Sequence, residues 1–128
     1  MKRVTLTCLV LLIGIFVATV ALAAADKAAI QKQVDEIVAA IDGGKTAADF
    51  KDAAKSEPHY VFIMQEDGIL LVHPSLEGQN LKEKAEVAYN AVVKATPEGS
   101  WVEYEWKGKM KHTYVKKTNT GLIVGSGY

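Results

Sequence analysis

Cysteine is almost missing from this chain, with one residue, Cys8, in 128. That excludes an internal disulfide framework and any site built from several thiolates. An excess of either charge is missing too, with 15 Lys plus Arg against 15 Asp plus Glu. A nucleic-acid binder needs a basic stripe, so no nucleic-acid partner is expected. The motifs that carry enzyme chemistry are absent: HExxH, GxSxG, a phosphate-cradling Gly-rich loop and CxxCH. The three His, at positions 59, 73 and 112, are dispersed and have no zinc-ligand spacing. No pair of carboxylates stands in a setting that would perturb its acidity. Neither catalysis nor a cofactor nor a metal is expected.

One stretch lacks charge altogether. Val4 to Ala25 follows Met1-Lys2-Arg3 and ends in the small-residue triplets Ala21-Leu22-Ala23 and Ala23-Ala24-Ala25, with Asp26 just beyond. Two basic residues, an apolar run and small residues at its end have the grammar of a cleaved secretory signal. A membrane anchor over residues 4–25 is the competing reading, since about 20 apolar residues span a bilayer. The expected division is a signal over 1–25 and one domain over 26–128. The signal takes Cys8, Lys2 and Arg3 with it. The 15 basic and 15 acidic residues become 13 and 15, a net charge of −2. The expected location is the periplasm or the medium, or the membrane surface if the segment stays as an anchor.

Periodicity organises the rest. Ile30, Val34, Ile37, Val38 and Ile41 recur every three to four residues, which predicts a helix over 26–42 closed by Gly43-Gly44. Thr46 and Asp49 form a capping-box-like pair, predicting a second helix over 46–55. The period then shortens. Residues 59–64 and 69–73 read as a β-hairpin about Glu66-Asp67-Gly68, and Pro74 ends the return strand because it has no amide hydrogen. Asn80 with Glu83 starts a helix whose stripe is Leu81, Ala85, Ala88, Val92 and Ala95. Strands over 100–106, 110–116 and 122–127 complete the chain. Helices and antiparallel strands without regular βαβ alternation indicate an α+β domain.

Eight of the ten aromatics lie at or beyond residue 59. Alternation sets Val102, Tyr104 and Trp106 on one side of their strand, and Met110, His112, Tyr114 and Lys116 on one side of the next. Rings with polar tips gathered on a sheet face are what a small polar-ligand pocket needs. They are equally what a core lined by Tyr and Trp looks like. His73, at a strand end before Pro74, reads either as a donor to an anionic ligand or as a ring satisfied by the backbone.

Tyr60-Val61-Phe62-Ile63-Met64, Asp67-Gly68, Leu71-Val72-His73-Pro74 and Glu77-Gly78-Gln79-Asn80-Leu81 resemble the front half of a single Cache domain. Gly99, Trp101 to Trp106, Lys111 to Val115 and Gly125-Ser126-Gly127-Tyr128 match its back half in the same order. The resemblance implies a PAS-like fold. A long N-terminal helix would pack on one face of a five-stranded antiparallel sheet, with a helix-loop insert over a pocket on the other. It further implies an extracytoplasmic, non-catalytic sensor of a small metabolite such as a short carboxylate, of the kind used in chemotaxis and other signal transduction. By position, Tyr104, Trp106 and Tyr114 are the expected walls, His73 and Lys111 the anion-facing donors, and Tyr89 the residue closing the lid. Simple alternation sets Lys111 opposite Tyr114, so a bulge near Lys109 is required to unite them. The sequence stops at Tyr128, where a receptor would continue, so signalling is expected to pass to a membrane receptor or kinase partner. The alternative is a ligand-free interaction module of the same fold, dimerising through the N-terminal helix.

Overall fold

The computed structural model describes residues 26–128; the expected signal or anchor at 1–25 lies outside the described residues. Among those described, no helix is long and apolar enough to cross a membrane.

Helix α1 occupies residues 26–42. Its stripe of Ile30, Val34, Ile37, Val38 and Ile41 is buried, as the spacing predicts. Each such side chain contributes roughly 1.5–3 kcal/mol of transfer free energy before ordering costs. The helix ends in a Schellman closure. Lys45 N–H donates to the Ala40 carbonyl and Gly44 N–H to that of Ile41, both at 3.0 Å. Gly44 takes φ +115, which a side chain would oppose.

Five strands follow: β1 (Val61–Met64), β2 (Leu70–Val72), β3 (Ser100–Trp106), β4 (Lys109–Lys117) and β5 (Ile123–Gly127). They form one antiparallel sheet in the order β2-β1-β5-β4-β3. The two hairpins β1–β2 and β3–β4 therefore flank the last strand. Gly125 in that central strand leaves room for the Phe62 ring, which a Cβ would strike.

Two expected helices differ in detail. The segment Ala47–Lys55 is 3₁₀, with Phe50 out of helical geometry at φ −112 and ψ 19. Its start is as expected, since the Asp49 carboxylate accepts from the Thr46 amide at 2.9 Å. Of its residues only Ala47 and Ala54 are fully buried, so small side chains give little packing to hold a regular α-helix in place. The helix expected over the 81–95 stripe is two short ones, α2 (Leu81–Lys84) and α3 (Glu86–Val92), broken at Ala85 with φ −155 and ψ 77. Leu81, Ala88, Val92 and Ala95 are still buried.

Each sheet face carries its own core. On one, α1 and the 3₁₀ segment cover Val61, Ile63, Val72, Tyr114 and Val124. On the other, α2 and α3 cover Phe62, Met64, Leu70, Tyr104, Val115 and Ile123.

Candidate functional site

The β3–β4 register decides which aromatics meet. Trp101 pairs with Tyr114, Glu103 with His112, Tyr104 with Lys111 and Trp106 with Lys109, without interruption. Cross-strand partners share a face. Tyr104, Trp106 and Lys111 thus lie on the face under α2 and α3. Tyr114 lies on the other, in the α1 core.

No bulge near Lys109 brings Tyr114 round. Its hydroxyl donates to Asp35 of α1 at 3.1 Å, and Lys116 Nζ reaches the same oxygen at 3.2 Å. Burial, then the hydrogen bond and charge of Asp35, push the Tyr114 phenol up to about 12. The structure therefore separates Tyr114 from the other expected wall residues and uses it to fasten α1 to the sheet.

A cavity lies between α2, α3 and the second face, bordered by Tyr60, His73, Tyr104 and Trp106, with Phe62, Leu70, Leu81 and Ala88 as its apolar wall. The space open to the centre of a water molecule is about 10 Å³, about what one water occupies.

Thr113 Oγ1 donates to the Tyr104 hydroxyl at 3.0 Å, which leaves the phenol's own hydrogen available to a further acceptor. Burial pushes this phenol up to about 12, so it stays protonated at neutral pH. Tyr60 is shifted upward by burial as well. The His73 ring stands edge-on to Tyr60 at 5.7 Å and tilted against Trp106 at 6.3 Å between centroids. Burial, then the charge of Lys107, lower His73 to about 4, so the imidazole is neutral at physiological pH.

Lys111 Nζ lies 4.9 Å from the centroid of the Tyr60 ring. This is a cation–π contact on a ring that borders the cavity. Burial lowers the Lys111 pKa. Among the described residues it has no carboxylate partner, whereas Lys116 and Lys117 pair with Asp35 and Glu66.

Tyr89 stands apart from the cavity border. Its hydroxyl donates to the Glu66 carbonyl at 2.8 Å and so ties α3 to the β1–β2 turn. It holds the cover down from the side instead of closing over the space.

The residue that sequence reasoning missed is Tyr60. Alternation through Tyr60, Phe62 and Met64 places all three on the cavity side, with Val61 and Ile63 on the α1 side. That signal was present in the period of two. It was hidden because every residue of Val61–Met64 is buried, so the strand shows no polar–apolar alternation.

A family model for Single Cache domain 2 matches residues 3–122 of this chain. The protein belongs to the single Cache family. Cache domains are extracytoplasmic sensor domains, and the five-stranded antiparallel sheet with its helices is this family's fold. A solved methyl-accepting chemotaxis protein from Vibrio parahaemolyticus RIMD 2210633 is similar to this Cache domain with a TM-score of 0.53. It is 20% identical, over 84% of this chain and 90% of that one. The ligand-binding domain of Mlp24, solved with asparagine, is 16% identical with a TM-score of 0.48, over 65% of this chain and 35% of that one. No curated protein sequence matches the chain.

Proposed function

We propose that this Cache domain is an exported, non-catalytic receptor for a short carboxylate, bound between the α2–α3 cover and the sheet. The observation that carries the proposal is Lys111, a half-buried ammonium without a carboxylate partner among the described residues, resting on the ring of a cavity tyrosine. A cation left in that position gains from an anion brought beside it, because the partly buried site screens the attraction less than water does. The Tyr104 hydroxyl adds a neutral donor, and Trp106, Phe62 and Leu70 supply apolar walls for a short carbon chain.

Space for one water does not admit a carboxylate, so binding requires α2 and α3 to lift from the sheet. The cover is suited to this. Its helices are only four and seven residues long, and short helices open at lower free energy than the core beneath them. In this reading the occupied state is then passed to a membrane receptor or kinase.

The test is thermal unfolding of the full chain with acetate, propionate, succinate and amino acids. A ligand at ten times its Kd stabilises by about 1.4 kcal/mol, which raises Tm by about 6–11 °C for a domain of this size. Tyr104→Ala should abolish the shift while the circular dichroism of the folded domain persists. Normal binding by that variant would remove Tyr104 from the site.

A second reading, a ligand-free interaction module dimerising through α1, is favoured by one observation: the cavity is nearly filled by its own side chains. A Tm indifferent to every metabolite, combined with a dimer by sedimentation, would select it.

A further inference from the structure

We infer that His73 is a fixed neutral donor with two separate duties, its Nδ1 holding the 74–79 loop in place and its Nε2–H offered to an acceptor atom of the cavity's occupant. This deepens the carboxylate reading above and rests on it for the identity of the occupant. The assignment of the ring's own hydrogen is independent of that reading.

The loop amides decide the tautomer. Ser75 N–H and Leu76 N–H both donate to His73 Nδ1, each at 3.0 Å. A nitrogen that accepts from amides carries no hydrogen, so the single hydrogen of the neutral ring sits on Nε2. Pro74 has no amide hydrogen, which makes those of 75 and 76 the first two that the chain can offer after the strand. The imidazole thus acts as a cap for the turn that follows it. Moving the hydrogen to Nδ1, or adding a second one, would leave both amides without their acceptor.

The other nitrogen is uncommitted. Among the described residues Nε2 makes no hydrogen bond. The ring borders the cavity on one side and, on the other, an open groove of about 360 Å³ between the 3₁₀ segment and the 74–77 loop. The charged groups around it are Lys107 at the β3–β4 turn and, around the groove, Lys51, Asp52, Lys55 and Glu77. On the cavity side Tyr60 and Tyr104 are protonated phenols, and Lys111 Nζ lies over the Tyr60 ring. None of these places a carboxylate within 4 Å of the imidazole, so nothing near it favours the imidazolium. Positive charge at the site therefore comes from Lys111, and His73 supplies direction. The occupant presents an acceptor atom to it, and a ligand presenting an ammonium there is rejected, because two N–H groups would oppose each other.

Long-range proton–nitrogen NMR on the full chain, free of ligand, tests this directly. The expected result from pH 5.5 to pH 8 is an unprotonated Nδ1 and a protonated Nε2 at His73. An Nδ1–H tautomer, or an imidazolium at pH 6.5, would overturn the inference. Two variants then separate the duties, with propionate as probe and propylamine as its cationic counterpart. H73N keeps an acceptor near the Nδ1 position and removes the Nε2 donor. It should hold Tm at pH 7.5 within a few degrees and weaken propionate roughly tenfold or more, the loss of one hydrogen bond at a partly buried site. H73Q supplies a donor near the Nε2 position and loses the loop cap. It should fall in Tm and keep more affinity than H73N. The reverse order of affinities, or binding of propylamine by the parent chain, would overturn the donor assignment. If no carboxylate stabilises the parent chain, the receptor reading fails, and the nitrogen spectrum still decides His73.

Discussion

Tyr104 and Tyr114 show how one side chain serves two ends according to the face it takes. Tyr104 keeps its hydroxyl hydrogen for the cavity, with Thr113 donating to its oxygen. Tyr114 gives its hydrogen to Asp35 and is closely backed by Gly99, where a Cβ would collide with the phenol oxygen and where φ is +87. Tyr114→Phe should therefore cost about 1 kcal/mol of stability, the net worth of one hydrogen bond, and leave carboxylate-induced stabilisation unchanged. Urea unfolding with and without ligand checks both halves. Lys111→Met gives the complementary outcome. It should weaken carboxylate binding while leaving the free domain as stable or more so, because an unpaired, partly buried cation is replaced by an apolar chain of similar length.

His73 makes a pH prediction at the same scale. Its pKa falls from 6.5 to about 4 on folding. Between those values the unfolded chain binds a proton that the folded ring refuses, so stability is complete above about pH 6.5 and declines as pH falls towards 4. The ring is partly exposed, and solvent screening reduces the loss to roughly 1–2 kcal/mol. H73N should flatten that part of the curve. An identical acid slope in parent and variant would assign it to other groups.

At the scale of elements, the cover is held at its corners. The Asn80 carboxamide accepts from Lys82 N–H at 2.8 Å to start α2, and its Nδ2 donates to the Asp67 carbonyl at 3.2 Å. Tyr89 joins α3 to the Glu66 carbonyl. Both tethers end on the β1–β2 turn, so the hairpin carries the cover. Asn80→Ala should cost about 1 kcal/mol, as lost caps do. Tyr89→Phe should speed amide hydrogen exchange in α3 more than in α1, since it frees a cover and leaves the larger core intact. Equal acceleration in both helices would mean that the cover does not open separately.

The break at Ala85 and the 3₁₀ character of Ala47–Lys55 were not legible in advance. Alanine is the strongest helix former, and nothing local in Glu83-Lys84-Ala85-Glu86 marks a break. Asn80, Thr46 and Gly44, by contrast, were legible as signals of a start or stop because their effect lies within a few residues.

For the whole molecule, the sheet divides two hydrophobic cores with unequal covers. The α1 side is closed by a long helix with five buried aliphatic residues. The other is closed by two short helices over a space of one water. In the proposed function, binding that lifts the weaker cover costs less than disturbing the stronger one, which is a physical reason for a ligand to enter on this side. A favourable ligand must then supply both the affinity measured and the work of opening, so the apparent Kd is weakened by the fraction of time that the cover is shut.

Residues near one another in sequence determined the α+β class, the helix at 26–42, both hairpins and the aromatic content of the site. Periods of 3.6 and 2, caps and turns depend only on neighbours along the chain. Tertiary structure alone decided that Tyr104 pairs with Lys111 on the face under α2 and α3, that the face carrying Tyr60 is the one bordering the cavity, and that His73 Nδ1 turns to its own loop. Those outcomes depend on the register between strands far apart in sequence and on which sheet face each helix covers. Packing chooses both by burying the largest apolar area while leaving few buried polar groups unpaired.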